Sequence, residues 1–172
     1  MEEKMILYPK YYCKSIIDID IDFLNKNNIK GLILDVDNTI IDTEKNFVDG
    51  VIEWHKSMRE QGIKTIIVSN SNKKDKLDNV SKELEIDYIS FAKKPLTGGF
   101  KKALKKLELN SENVAAIGDQ IFTDVIGANL SKVFSILVEP INEQDLWMTK
   151  WKRPLEKKIV EKYLKTKEGM VK

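Results

Sequence analysis

Four short stretches of this chain carry the residue types that chemistry requires. They are Asp35-Val36-Asp37-Asn38-Thr39, Ser69-Asn70, Lys94-Pro95, and Gly118-Asp119 followed by Asp124. Counted from Asp35 through Ser69 and Lys94 to Asp119, they are spaced by 34, 25 and 25 residues. The carboxylates of Asp35, Asp37, Asp119 and Asp124, gathered in one crevice, would repel each other and raise their own pKa values. A bound cation removes that conflict. All the candidate ligands are oxygens, which calls for a hard cation. Mg2+ fits best, held by one or two carboxylates, water and a substrate phosphate. Lys94 and the hydroxyl of Ser69 would then serve as donors to the phosphoryl oxygens.

For these groups to meet, regular elements must deliver them to one place. Short, mostly β-branched runs do so: Leu32-Ile33-Leu34, Thr65-Ile66-Ile67-Val68, Tyr88-Ile89, Val114-Ala115-Ala116-Ile117 and Ser135-Ile136-Leu137-Val138. Most lack an alternating polar face, as strands buried on both sides of a parallel sheet do. Between them, helical spacing is read over 48–61 (ending at Gly62), 73–84, 100–107 and, briefly, 121–128. Each interval holds one crossover, so every motif falls at the carboxyl edge of the same sheet, where open α/β folds bind ligands. The expected fold is a single Rossmann-like three-layer α/β domain with a mostly parallel five-stranded sheet and no cap domain. The expected divisions are an N-terminal arm (1–30), the catalytic core (31–140) and a basic amphipathic C-terminal helix (141–172). Within the arm, Asp20 or Asp22 is read as the cap of a short helix, and Tyr8, Tyr11 and Tyr12 as packing groups.

Composition narrows the classes further. A length of 172 residues means one domain, and 42% hydrophobic with 33% charged residues describes a folded globular chain. The net charge of +2 gives no argument for nucleic acid as partner. One cysteine (Cys13) and one histidine (His55) exclude a disulfide framework and a zinc site. No apolar run exceeds four residues, and the start, Met1-Glu2-Glu3-Lys4, lacks a basic region, so the expected address is the cytoplasm. Within the 48–61 helix, His55 reads as a surface or packing residue with no catalytic part, and Trp54 as a core or rim residue.

In order, Asp35-x-Asp37-x-Thr39, Ser69, Lys94-Pro95 and Gly118-Asp119-x-x-x-x-Asp124 resemble the four motifs of haloacid-dehalogenase-like (HAD) phosphatases. The Leu7-Tyr8-Pro9 arm, the Gly118-Asp119-Gln120-x-x-Thr123-Asp124 form of the last motif and the basic tail resemble the YqeG-type, subclass IIIA phosphatases. Those are related to phosphatidylglycerophosphate phosphatases. The resemblance implies that Asp35 attacks phosphorus and forms an aspartyl-phosphate, and that Asp37 protonates the leaving oxygen and then activates water. It implies that Thr39 holds Asp37 in place and, with Asn70, belongs to the phosphate-binding groups. Mg2+ would be held by the Asp35 and Asp119 carboxylates and the Asp37 carbonyl, with Asp124 in or beside the shell. A receiver-type phosphoacceptor domain is disfavoured, because its acceptor aspartate follows the third strand and its acidic pair the first.

The intervals leave no room for an inserted cap, so the site should be open and suited to large or surface-bound substrates. Phosphatidylglycerophosphate is the substrate that the resemblance implies; a soluble sugar phosphate, a nucleotide and a phosphoprotein are the alternatives. From Thr149 to Lys172 there are nine basic and three acidic residues, with Leu155, Ile159, Val160, Tyr163 and Leu164 on one helical face. Trp147 and Trp151 lie just ahead of that helix. Two readings stand side by side for residues 150–172: peripheral contact with the inner membrane surface, or a helix packed on the sheet with its lysines in water. A ribosome- or RNA-associated role through the same basic tail is a third alternative.

Overall fold

A computed structural model describes residues 6–142 and 152–166; Trp147 and Trp151 lie outside the described residues. Six strands form one all-parallel sheet: β1 (Tyr11–Cys13), β2 (Gly31–Leu34), β3 (Lys64–Val68), β4 (Tyr88–Ile89), β5 (Val114–Gly118) and β6 (Phe134–Val138). Their order is β1-β6-β5-β2-β3-β4. The helices are α1 (Ile21–Lys26), α2 (Val51–Glu60), α3 (Lys74–Leu84), α4 (Gly98–Leu107), α5 (Ile126–Leu130) and α6 (Arg153–Leu164). A single π-turn, Ile121–Val125, leads into α5.

The strands alternate between two cores, as the period of two requires. Leu32 and Leu34 of β2 face a core shared with Leu24, Val51, Trp54, Met58, Leu77 and Val80, from α1, α2 and α3. Ile33 faces the other way, toward Phe100, Ala103 and Leu107 of α4 and Ala128 of α5. This is the three-layer arrangement the sequence leads one to expect, with one strand more than the five counted. Tyr11–Cys13, expected in the arm, pairs in parallel with Ile136–Val138 and extends the sheet.

Local signals set the element ends. Asp20 caps α1 by accepting a hydrogen bond from the Phe23 N–H at 2.7 Å. Gly62, at φ +80°, closes α2, and the next amide, Ile63 N–H, bonds back to the Met58 carbonyl at 3.0 Å. Trp54 is a core residue whose Nε1–H donates to the Ile19 carbonyl at 2.7 Å.

α6 packs over the edge formed by β6 and β1. Tyr163 is buried with Tyr12, Ile121, Val125 and Leu137, with Ile159, Val160 and Tyr8 against that cluster. The apolar face read from the sequence is therefore split. Tyr163, Ile159 and Val160 turn inward with a buried Glu156, whereas Leu155 and Leu164 point outward. No helix among the described residues is long and apolar enough to cross a membrane.

Candidate active site

β2 is the point where the chain's path divides. From it the strands run one way to β3 and β4, and the chain then returns to its other flank to lay down β5 and β6. Crevices at the carboxyl ends of strands at such a switch point are where α/β sheets hold ligands. Asp35 leaves the end of β2, Ser69 the end of β3, and Asp119 the end of β5.

Three carboxylates meet there. Asp35, Asp119 and Asp124 each present an oxygen within 4.8 Å of the others, and all three are buried. Lys94 Nζ lies between two of them, donating to Asp35 Oδ1 and to Asp124 Oδ1 at 2.6 Å each. Burial pushes the Asp35 carboxyl up to about 7; Lys94 draws it down, and Asp124 and Asp37 add to the rise. Asp119 is likewise raised well above the ordinary carboxylate range, first by burial, against the pull of Arg153. For Lys94 burial opposes the charge, yet Asp124 and Asp35 overcome it and raise its pKa. Three buried carboxylates thus share the crevice with the Lys94 ammonium and the Arg153 guanidinium.

The turn that brings Asp124 back requires glycine at 118. A Cβ there would sit 2.6 Å from the Asp124 Cβ and 2.5 Å from its Oδ2. Without that side chain, Asp124 leans over the end of β5 and its Oδ2 accepts from the Gln120 N–H at 3.1 Å.

One oxygen in this shell has nothing to bond to. Asp119 Oδ1 is buried without a hydrogen-bond partner, although its carboxylate is fully enclosed. A buried anionic acceptor left bare is costly. A hard cation among the oxygens of Asp35, Asp119 and Asp124 would satisfy it, so the residues present fit the ion expected from the donor types.

The other expected site residues occupy the same edge in varied ways. Ser69 is buried, and its Oγ accepts from the Ser71 N–H at 3.1 Å, leaving its own proton for another acceptor. Asn70, expected among the phosphate-binding groups, is engaged here with the backbone of Lys94. Its Oδ1 accepts from the Lys94 N–H at 2.6 Å and its Nδ2 donates to the Lys94 carbonyl at 3.0 Å, so both amide atoms brace the lysine's peptide. Thr39 was expected to hold Asp37, but its Oγ1 is buried with no partner and makes no such bond.

Asp37 is held instead by Lys76, from the first turn of α3, whose Nζ donates to both carboxylate oxygens at 2.5 and 2.6 Å. The sequence reading missed this lysine because Lys73, Lys74 and Lys76 look alike as a solvated cluster. It also missed Arg153, which donates from Nη1 to the Asp119 carbonyl at 2.9 Å and from Nη2 to Asp119 Oδ2. A signal was present: Arg153 is one of only two arginines in the chain, and its planar fork suits a carboxylate in a way lysine's ammonium does not.

An aspartate-lined crevice, bridged by a lysine at the switch point of a parallel sheet, fits the HAD-type phosphatase expected from the motifs, and comparison with known proteins shows that class. Comparison with solved structures agrees on the fold. The cobalt-bound deoxy-D-mannose-octulosonate 8-phosphate phosphatase of Haemophilus influenzae superposes with a TM-score of 0.55 at 16% identity, over 83% of this chain and 96% of that one. A protein from Listeria monocytogenes serotype 4b gives 0.55 at 15% identity, over 76% and 99%. The family follows from sequence. The model described as mitochondrial PGP phosphatase matches residues 1–142, and this chain belongs to that family. It is also 37% identical over 158 residues, 91% of each chain, to the protein named Probable phosphatase YqeG of Bacillus subtilis.

Proposed function

We propose that the protein is a Mg2+-dependent phosphomonoester hydrolase that works through an aspartyl-phosphate on Asp35 and acts on phosphatidylglycerophosphate. The observation that carries the reaction is the Lys94 bridge between Asp35 and Asp124, set beside the bare Asp119 oxygen. Asp35, Asp119, Asp124 and the Asp37 carbonyl are the groups to hold the ion. When bound, Mg2+ supplies charge neutralisation and alignment of the transferring phosphoryl group.

The rest belongs to side chains. Lys94 fixes one Asp35 oxygen, and the carboxylate attacks phosphorus in line with the departing alkoxide. The bond to the leaving oxygen breaks as Asp37, in its protonated form with one oxygen released by Lys76, gives that oxygen the proton. Asp37 then takes a proton from water, which attacks the phosphorus of the intermediate and frees Asp35 and inorganic phosphate. Lys94 and the Ser69 hydroxyl balance charge on the phosphoryl oxygens.

The lipid assignment is supported by the family description, by a sheet with no cap domain inserted among the described residues, and by the loop that carries Lys94. The loop between β4 and α4 carries Lys94, and on either side of it stand Phe91 (59% exposed) and Leu96 (63% exposed). Phe91 adopts φ +47° and Lys93 φ +56°, the left-handed region that a bulky side chain seldom enters. Lys93 Nζ lies 5.1 Å from the Phe91 ring centroid. An apolar pair with a cation at the mouth of the site suits the surface of an anionic bilayer. The outward lysines of α6, Lys158 and Lys162 among them, offer a second contact of the same kind.

The test is phosphate release from phosphatidylglycerophosphate in vesicles, set beside a panel of sugar phosphates, nucleotides and phosphopeptides, with and without chelator. Asp35→Asn keeps the shape and removes the nucleophile, so turnover should vanish with the fold intact. Near-normal activity of that variant would overturn the covalent mechanism. Preference for a soluble substrate would overturn the lipid assignment alone.

A further inference from the structure

The first turn of α6 does something that a covering helix need not do. It buries two charged side chains against the turn that follows β5. Arg153, 13% exposed, grips Asp119 at both its carbonyl and its Oδ2, and its Nη1 also donates to Glu156 Oε2 at 3.2 Å. Glu156 in turn accepts the Phe122 N–H on Oε1 at 3.2 Å. The helix therefore holds the Asp119–Phe122 turn at both ends, through a planar fork on one side and a carboxylate on the other.

This grip has a consequence for direction. With Oδ2 engaged by the guanidinium, the Asp119 carboxylate is held in one orientation, and Oδ1 is its oxygen left without a partner in a cluster whose three carboxylates approach within 4.8 Å. If α6 only covered β6, the contacts of Tyr163, Ile159 and Val160 would suffice, and burying an arginine and a glutamate would add desolvation cost without return.

We propose that α6 is a working part of the cation site: Arg153, braced by Glu156, is a positioning residue that aims Asp119 Oδ1 at the ion, so cation binding and docking of the helix reinforce each other. The inference rests on the cation reading above. Partners of a ligating group that fix its orientation commonly alter metal affinity by 10–100-fold when removed. Coupling of this kind is reciprocal: what tightens the ion must equally tighten the helix.

Isothermal titration of the full chain with Mg2+ alone, with no substrate present, reads the first half. Arg153→Met should weaken binding by about 10–100-fold, and Arg153→Lys, which keeps the charge but loses the fork, should fall between it and the parent. Ile159→Ala trims one apolar contact of the helix and leaves the polar contacts in place, so it should weaken Mg2+ far less than Arg153→Met does. Hydrogen exchange of the amides in 153–164 reads the second half. Mg2+ should slow exchange there in the parent and leave it unchanged in Arg153→Met. Equal Mg2+ affinity in parent and Arg153→Met, or α6 exchange indifferent to Mg2+ in a parent that binds it, would overturn the proposal while leaving the cation reading intact. A parent that binds no Mg2+ would overturn both. Arg153→Met and Ile159→Ala weakening Mg2+ equally would reduce α6 to a cover.

Discussion

His55 is buried in α2 with its Nε2 2.8 Å from Thr65 Oγ1, and burial, helped by the nearby Arg59 charge, lowers its pKa to about 4. An unfolded imidazole titrates near 6.5. Between those values the unfolded chain holds the extra proton, so stability is lost as pH falls through that window. The expected loss between pH 7 and pH 4.5 is about 2 kcal/mol in the parent relative to His55→Gln, because the carboxylates of the crevice titrate alike in both and cancel. Urea midpoints over that range check it; parallel pH profiles for the two proteins would mean the ring is not the titrating group. At this scale the sequence was informative where a residue type is itself the chemistry. Asp35, Asp119, Asp124 and Lys94 were legible because carboxylates and a lysine at strand ends have few other uses in such a crevice. Lys76 and Arg153 were not, because each acts through a partner 39 and 34 residues away in the chain, a distance that local pattern does not encode.

The elements follow periodicity where they are long enough to show it. β2, β3, β5 and β6 appear within a residue or two of their apolar runs, and α3 within one residue of its reading. β1 has three residues and no alternation to display; it is a strand only because β6 offers an edge to pair with. For α6 the sequence identified the apolar residues but not which of them turn inward, since that depends on Tyr8, Ile121 and Leu137 from elsewhere. Tyr163 is the anchor, its ring 5.6 Å from that of Tyr8 in an edge-on contact. Tyr163→Ala should therefore cost about 3 kcal/mol, in the range for deleting a buried aromatic ring. Thermal or urea unfolding measures this directly, and a change of only a few tenths would mean the helix does not dock as described.

At the scale of the whole molecule, the chemistry sits at one edge of the sheet, and the loop bearing Phe91 and Leu96 projects from that same edge. If that loop rests on a bilayer, replacing both residues by serine removes apolar burial of roughly 1.5–3 kcal/mol for each side chain fully inserted. Hydrolysis of vesicle-borne phosphatidylglycerophosphate should then fall by tenfold or more, while turnover of a soluble aryl phosphate stays at the parental rate. Equal losses on both substrates would instead point to damage at Lys94, which shares the loop.

The pairing of β1 with β6 bears on how the molecule comes into being. Tyr11 and Ile136 are register partners 125 residues apart, so joining them closes nearly the whole domain into one loop. The entropic toll of such a closure is on the order of 4 kcal/mol, and it must be met before the contact returns anything. As the chain emerges during synthesis, β2, β3 and β4 can associate early, whereas β1, made first, waits for β6, the last of the described strands. Arg153 arrives later still. The catalytic crevice is thus among the last parts of the protein to be finished, and until then the exposed edge of β6 is open to the wrong neighbour.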